Sequence, residues 1–353
     1  MQDSPAESGP ILGIETSCDD TAAAVLDAQG RVLAEAVSSQ MAHLPFGGVV
    51  PEIAARAHLA LLPDVVARVM AEAGISFADL AAVAATTGPG LIGGLIVGSG
   101  FGKGVAIAHR KPFLAINHLE AHALTARLPA LGLGAEFPYL LLLVSGGHCQ
   151  CIAVEGVGRH TRLGGTIDDA AGEAFDKVAK LLGLGWPGGP AVERMAKDGN
   201  PTAYRFPRPL QGRPGCDFSF SGLKTAVATV IAAFPQGALP YQAAADIAAS
   251  FQAAVADSLA DRATHAIAML RETHPQADLM VVAGGVAANQ TLRSALQAVC
   301  DTHGMRFAAP PLRLCTDNAV MVAWAGLERL RLGSEDGLAT APRPRWPLAE
   351  LAP

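Results

Sequence analysis

His118 and His122, in the run from Asn117 to His122, are two imidazoles four residues apart. On a helix both would project from one face and reach one cation. Two ligands do not make a metal site, so a third must come from elsewhere in the chain. Asp317, flanked by Thr316 and Asn318, would complete a two-His, one-carboxylate set with coordination positions left open for a substrate. Glu120 stands two residues after His118, whereas the metalloprotease H-E-x-x-H helix places its base directly after the first His. At about 100° of rotation per residue Glu120 turns away from the imidazole face, so protease chemistry lacks its base there.

Two glycine turns carry the second chemical signal. Leu143, Val144, Ser145, Gly146 and Gly147 read as a strand ending in a turn, followed by His148. Such a turn frees backbone N–H groups for an anion, and glycine lets a phosphate approach closely. Val282 to Asn289 repeats the strand–Gly–Gly form and then opens a helix, whose N-terminus favours negative charge. Neither turn matches G-x-G-x-x-G or the Walker pattern, which excludes a dinucleotide fingerprint and a P-loop. The third glycine-dense stretch, Gly88–Gly100, reads as close packing of backbone. Asp168, Asp169, Glu173, Asp176 and Glu193 supply further carboxylates. Each alone reads as a solvated acid or helix cap, although Asp176 and Glu193, near Gly188 and Gly189, could accept ribose hydroxyls. Together the pair, the turns and the late carboxylate point to a metal-assisted enzyme acting on a phosphorylated ligand.

The elements that must position these groups repeat. Apolar Ile11–Ile14, polar Glu15–Thr21 and returning Ala22–Leu26, followed by a third strand over 31–37, read strand, turn, strand, turn, strand. The same grammar restarts at Tyr139, with Leu140–Val144, the turn 145–148 and Cys149–Val154. This predicts an internal duplication of an α/β unit. Helices are expected over Pro51–Glu72, with a break or kink at Pro63 and a stop at Gly74, and over Asp246–His274. In the latter, Ile247, Phe251, Val255, Leu259, Ala263, Ile267 and Leu270 form one apolar stripe. Residues 200–217, rich in Pro, Gly and Arg, read as an exposed loop.

The chain has 353 residues, half of them apolar and 16% charged, enough for two domains with large cores. Six cysteines at 18, 149, 151, 216, 300 and 315 fit reduced cytosolic thiols, with Cys149 and Cys151 on one strand face. Met1–Pro10 is polar and acidic, so no secretory leader is expected. Leu91–Val97, split by Gly93 and Gly94, reads as too short to cross a membrane. A net charge of −6 argues against a general nucleic-acid coat but allows a local basic surface. Arg205, Arg208, Arg213 and Lys224 are candidates for one, set against the plainer reading of a solvated loop.

These motifs occur together in a known order. Gly13–Thr21, Asn117–His122, Leu143–His148, Asp217–Thr225, Gly284–Asn289 and Cys315–Asn318 resemble those of the bacterial tRNA N6-adenosine threonylcarbamoyltransferase family, from about Ile11 to about Pro347. The resemblance implies an α/β fold of two ribonuclease-H-like lobes, of the actin, sugar-kinase and heat-shock ATPase type, with an interlobe cleft. It implies an N-terminal lobe of residues 1–135 plus 316–353 and a C-terminal lobe of residues 136–315. It would set Asp317 across the cleft from the imidazoles.

The implied reaction moves threonylcarbamoyl from threonylcarbamoyl-AMP to N6 of adenine 37 in tRNAs reading ANN codons. By the same resemblance His118, His122 and Asp317 match metal ligands. One divalent ion is expected per chain, iron(II) favoured by the family and zinc or manganese suited to the same donors. Leu143, Val144, Ser145, Gly146 and Gly147 match the segment holding the adenylate; Asp176, Gly189, Glu193 and Asn289 match positions around the nucleoside. The family often has Asp where Glu193 stands. The implied partners are tRNA, an inactive paralogue and a small ATPase-like accessory protein, with no membrane and a cytoplasmic location. No general base is identified; His148 and a metal-bound group are both candidates. A zinc endopeptidase, a small-molecule kinase on the same fold and a non-catalytic scaffold are the competing readings. Glu120 counts against the first, the His pair is unneeded by the second, and the full ligand set argues against the third.

Overall fold

A computed structural model describes residues 9–46, 48–185, 187–235 and 239–351, so the expectation for Met1–Pro10 lies, up to residue 8, outside the described residues. The chain divides into two compact units. The first comprises Met1–Glu136, Gly156–His160 and Asp317–Pro353, and the second Phe137–Glu155 and Thr161–Thr316. In chain order the first unit supplies β1 (Ile11–Glu15), β2 (Asp20–Leu26), β3 (Val32–Ser39), α1 (Pro51–Ala73), β4 (Ala82–Gly88), α2 (Ile92–His109), β5 (Phe113–Asn117) and α3 (His118–Leu124). Next come β6 (Tyr139–Val144), β7 (Cys149–Gly156), β8 (Arg159–Gly165), α4 (Ala171–Leu181), α5 (Gly188–Ala196), α6 (Ser221–Ala232) and α7 (Tyr241–Thr273). The second unit ends with β9 (Leu279–Ala283), α8 (Gln290–His303), β10 (Arg306–Ala308) and α9 (Leu312–Cys315), and α10 (Ala319–Arg331) returns to the first.

Each unit holds one five-stranded sheet, in the orders β3-β2-β1-β4-β5 and β8-β7-β6-β9-β10. β1 runs antiparallel to β2, from Ile11 opposite Leu26 to Glu15 opposite Ala22, and parallel to β4. β6 repeats this, antiparallel to β7 from Tyr139 opposite Val154 to Val144 opposite Cys149, and parallel to β9. The repeated grammar of the sequence is therefore one ribonuclease-H-like topology used twice. Strands β1, β4, β6 and β9 inside the sheets and β5 at an edge are buried throughout, as strands covered on both faces must be. Edge strand β3 alternates, with Leu33, Glu35 and Val37 exposed.

The helices follow their signals with two exceptions. α1 begins on Pro51 and ends on Gly74 in the left-handed region (φ 68°). It runs on through Pro63, so the expected break is not made. α7 starts at Tyr241, earlier than its apolar stripe, and buries all seven stripe residues to 1% exposure or less. α2 corrects the membrane reading: Gly93 and Gly94 do not end the apolar stretch, and the helix has the length and composition to cross a membrane. Here it packs as part of the first unit. A Cβ on Gly94 or Gly98 would overlap Thr16, so these glycines let the helix lie against the turn after β1. Residues 200–217 form turns held to α7, through Arg208–Asp257 at 2.8 Å and Asn200 N to Asp246 at 2.8 Å. All six cysteines are free, and Cys149 and Cys151 share the buried face of β7.

Candidate metal centre and nucleotide pocket

β5 passes into α3 without a linker. The Asn117 side chain accepts from Leu119 N at 2.9 Å and Glu120 N at 3.3 Å, capping a seven-residue helix that presents both imidazoles on one face. The rings stand perpendicular with centroids 4.7 Å apart. Asp317 immediately precedes Asn318, whose side chain caps α10 by accepting from Met321 N at 2.9 Å. Asp317 therefore sits in the same unit as both imidazoles, not across a cleft from them, because the chain returns to this unit at residue 317. Trp324 Nε1 on α10 donates to Leu124 O at 3.0 Å, tying the carboxylate's helix to the imidazoles' helix.

Asp317 Oδ1 lies 3.4 Å from His118 Nε2 and 3.4 Å from His122 Nε2. That separation is long for a hydrogen bond. It equals the ligand-to-ligand edge, about 3.4 Å, of a tetrahedron with metal bonds of about 2.1 Å. The three donor atoms lie within 4.8 Å of one another, and their chemistry suits a divalent transition metal. His122 Nδ1 is buried without a hydrogen-bond partner among the described residues.

Behind His118 stands Glu15, which the sequence reading did not single out. It closes β1 fully buried and accepts from Ser17 N at 2.5 Å and Thr86 Oγ1 at 2.5 Å. His118 Nδ1–H donates to its Oε2 at 3.0 Å, with Ser17 Oγ 3.2 Å away, which leaves Nε2 for the cluster. The available signal was an acid ending an otherwise apolar strand: a buried carboxylate needs a partner. Burial opposes charge on His118, yet Asp317 and Glu15 outweigh it and raise its pKa well above the ordinary value. Burial raises the pKa of Asp317 and of Glu15, and the facing His118 more than reverses both. His122 is held low, chiefly by burial. Glu120 points away as its rotation requires, accepting from Gly158 N at 2.7 Å and pairing with Arg329 at 2.7 Å. It is committed to structure, which removes the endopeptidase's base.

The second unit holds a cavity of about 380 Å³ lined in part by Gly146, Asp176, Gly189, Glu193 and Asn289. Four other expected residues lie beside it and do not line it. Leu143 and Val144 are buried in β6, Ser145 closes a tight turn with His148 (2.7 and 3.0 Å), and Gly147 is exposed on that turn. Gly188 N donates to Asp176 Oδ1 at 2.8 Å, and burial raises the pKa of Asp176. Glu193 Oε1 accepts from Gln290 N at 2.8 Å, and Asn289 caps the same helix by accepting from Leu292 N at 3.1 Å. Asn289 Nδ2 donates to Gln252 Oε1 at 2.7 Å. Gln252, a buried amide beside the apolar stripe of α7, is the second residue the sequence reading missed.

The remaining carboxylates are structural. Asp168 accepts from Ser219 Oγ (2.6 Å) and Ser221 Oγ (2.7 Å), and Asp169 and Glu173 pair with Lys177. Of the four candidate tRNA-facing cations, Arg208 is tied to Asp257, while Arg205 and Arg213 are exposed.

A family model described as tRNA N6-adenosine threonylcarbamoyltransferase matches residues 31–324. Curated relatives of that name are similar over almost the full chain. One from Granulibacter bethesdensis is 69% identical, covering 96% of this chain and 94% of its own. One from Gluconobacter oxydans is 64% identical, covering 99% and 96%. Among solved structures, HypF of T. kodakarensis shares the fold at 14% identity and TM-score 0.61, covering 92% of this chain and 48% of its own. The Acidaminococcus fermentans (R)-2-hydroxyglutaryl-CoA dehydratase component A does so at 16% and 0.52, covering 92% and 100%. The family match over residues 31–324 and the sequence similarity over nearly the whole length make this chain a member of the tRNA N6-adenosine threonylcarbamoyltransferase family.

Proposed function

We propose that this enzyme transfers threonylcarbamoyl from threonylcarbamoyl-AMP to N6 of adenine 37 in tRNAs reading ANN codons. The adenine amine attacks the carbamoyl carbonyl. A C–N bond forms, the C–O bond to phosphate breaks, AMP departs and N6 loses a proton. His118, His122 and Asp317 would hold one divalent cation, iron(II) by family and zinc or manganese by donor chemistry. When bound, that cation supplies Lewis-acid polarisation and a template for the adenylate.

The chain's own groups have separate tasks. Glu15 and Ser17 hold the His118 tautomer. The segment Leu143–Gly147 would hold the adenylate, with the backbone N–H groups of Gly146 and Gly147 turned to charge on phosphate, since that of Ser145 is already given to His148 O at 2.7 Å. Asp176, Gly189, Glu193 and Asn289 would surround the nucleoside; a cavity of about 380 Å³ falls in the range of small-ligand sites. The reading assigns residues 1–135 with 316–353 to one lobe and 136–315 to the other. It takes an inactive paralogue and a small ATPase-like protein as helpers, in the cytoplasm.

The observation that carries the proposal is the convergence of three ligand atoms with a buried carboxylate behind one of them. The test is a reaction with synthetic threonylcarbamoyl-AMP, tRNA and the partner proteins, read by mass spectrometry of the tRNA nucleosides. Asp317→Ala and His118→Ala should abolish the modification while the circular dichroism stays native. Normal modification by the double variant would refute the ligand assignment.

A further inference from the structure

The turn after β1 is pinned from several sides. Thr16 Oγ1 donates to Gly94 O at 2.9 Å, and Leu91 N donates to Ser17 O at 2.7 Å. Cys18 O faces His58 Nε2 at 3.0 Å. His58 lies on α1 and is fully buried, and burial holds its pKa below the usual imidazole value.

The partners of His58 determine its tautomer. Nδ1 lies 3.3 Å from Gln40 Nε2 and 2.8 Å from Thr21 Oγ1. An amide nitrogen only donates, so Nδ1 accepts and Nε2 carries the hydrogen that goes to Cys18 O. Gln40 Nε2 also donates to Ala54 O at 3.3 Å, and Gln40 N donates to Asp19 O at 3.1 Å. His43 obeys the same logic. Val50 N donates to its Nδ1 at 3.2 Å, so its Nε2–H donates to Gln40 Oε1 at 2.9 Å. One directed chain thus runs from Val50 through His43, Gln40 and His58 to Cys18 O. It ends one residue from Ser17, whose hydroxyl and backbone N–H serve His118 and Glu15. Each named hydrogen has an acceptor, with His58 Nδ1 shared between the nearer Thr21 hydroxyl and Gln40 Nε2–H, and a satisfied buried polar network orients its members instead of loosening them.

We infer that His58 is a positioning residue for the cation centre: through Cys18 it holds the turn that presents Ser17 and Glu15 to His118, with Gln40 and His43 setting its tautomer. The inference rests on reading His118, His122 and Asp317 as a cation site.

The experiment titrates metal-stripped full-length protein with zinc(II) alone and with AMP alone, for the wild type, His118→Ala, His58→Phe, His58→Gln and Gln40→Leu. Phenylalanine keeps a ring of similar volume but has no donor, and its zinc Kd should rise about 10-fold, the size of an outer-shell loss. Glutamine retains a donor and should recover most of that. Gln40→Leu leaves His58 in place and should weaken zinc about 3-fold, a fraction of an outer-shell loss. AMP binding should not change. In the transfer assay kcat should fall in step with zinc affinity while the KM for tRNA holds.

If the wild type binds zinc in a His118-dependent way and both His58→Phe and Gln40→Leu bind it as tightly, the positioning role is wrong and the cation site stands. If His58→Phe loses zinc, AMP binding and melting temperature together, or does not fold, and Gln40→Leu leaves zinc binding untouched, His58 is merely structural. If the wild type binds no zinc at these residues, the cation reading falls and the inference falls with it.

Discussion

The two units place the same strands in the same order and finish them differently. In the first unit the first strand ends in a buried carboxylate, Glu15, and the turn behind it is held by α1 and α2. In the second, the corresponding strand β6 ends in a turn that closes on itself through Ser145 and His148 and leaves Gly146 and Gly147 exposed. After the fifth strand the first unit goes straight into the helix carrying His118 and His122, while the second passes through Pro310 and Pro311 into the four-residue α9. Topology places both candidate sites at the carboxyl ends of the strands. Burial decides what chemistry each can do. A largely buried cluster of charges, with Asp317 half-buried at its mouth, concentrates electrostatics on a cation, and an open glycine cradle offers backbone donors and room.

The largest effect should come from the buried side. Asp317→Ala removes a cluster ligand and the charge facing both imidazoles. Transfer should drop by more than about 100-fold, beyond what outer-shell losses cost, and a metal-stripped sample should show no further loss on chelation. Activity equal to wild type would remove the contrast between the units. Glu15→Gln should follow. The amide keeps the shape of the carboxylate but loses the charge that orients His118 Nδ1–H, so cation affinity should fall about 10- to 100-fold in a metal titration. The matched change on the open side, Ser145→Ala, removes one acceptor for His148 N on a half-exposed turn and should cost about 1 kcal/mol or less, read as a small shift in AMP affinity. Equal effects from the two would show that burial is not the distinguishing variable.

Acidity sharpens the same contrast. In the metal-free first unit the folded pKa of His118 is raised by Asp317 and Glu15. Its stabilising contribution is therefore complete below the unfolded value of about 6.5 and lost as pH rises through the elevated folded value. Asp317 shifts the other way, contributing above its unfolded value of about 3.9 and losing that contribution on acidification. The metal-free protein should therefore gain most from this pair at intermediate pH, where Asp317 is ionised and His118 still protonated, and less towards either extreme. A cation must displace the His118 proton, so its apparent affinity should rise with pH by up to about tenfold per unit until that proton is gone. Titrations at two pH values check this; a flat response would mean that His118 carries no proton to displace.

Much of this was legible in the chain because it rests on local pattern. The duplication, the imidazole spacing, the α7 stripe and the Gly74 stop all follow from periodicity and turn chemistry within a few residues. What escaped depends on distant partners. Glu15 has meaning only once Ile14 and Thr86 stand on adjacent strands and α3 brings His118 over them. Gln252 sits among apolar residues and is explained only by Asn289 and Thr291, which it meets at 2.7 and 2.8 Å. The length of α2 was misjudged because glycine in a sequence signals a break, whereas the close packing expected of this stretch is what Gly94 and Gly98 provide against Thr16. Pro63 does not break its helix either, being tolerated inside 23 residues packed on the sheet.

Two glycines of the open side, Gly284 and Gly146, differ in what an added methyl would meet. Gly284 has φ of 94°, and an added Cβ would overlap the Val144 carbonyl, where β9 ends beside β6. Gly284→Ala should therefore destabilise the protein by about 3 kcal/mol, from strain and overpacking together, seen as a lower denaturant midpoint. A Cβ on Gly146 would meet nothing within 4 Å. Gly146→Ala should change stability by less than about 1 kcal/mol, since the methyl mainly restricts the unfolded chain. Gly146 nevertheless lines the cavity, so its methyl occupies ligand space, and AMP affinity should fall several-fold while the denaturant midpoint hardly moves. The two substitutions separate a glycine that the backbone needs from one that the ligand needs. If Gly146→Ala binds AMP as tightly as the wild type, the turn after β6 does not touch the nucleotide, and the cavity's recognition must come from Asp176, Glu193 and Asn289 alone.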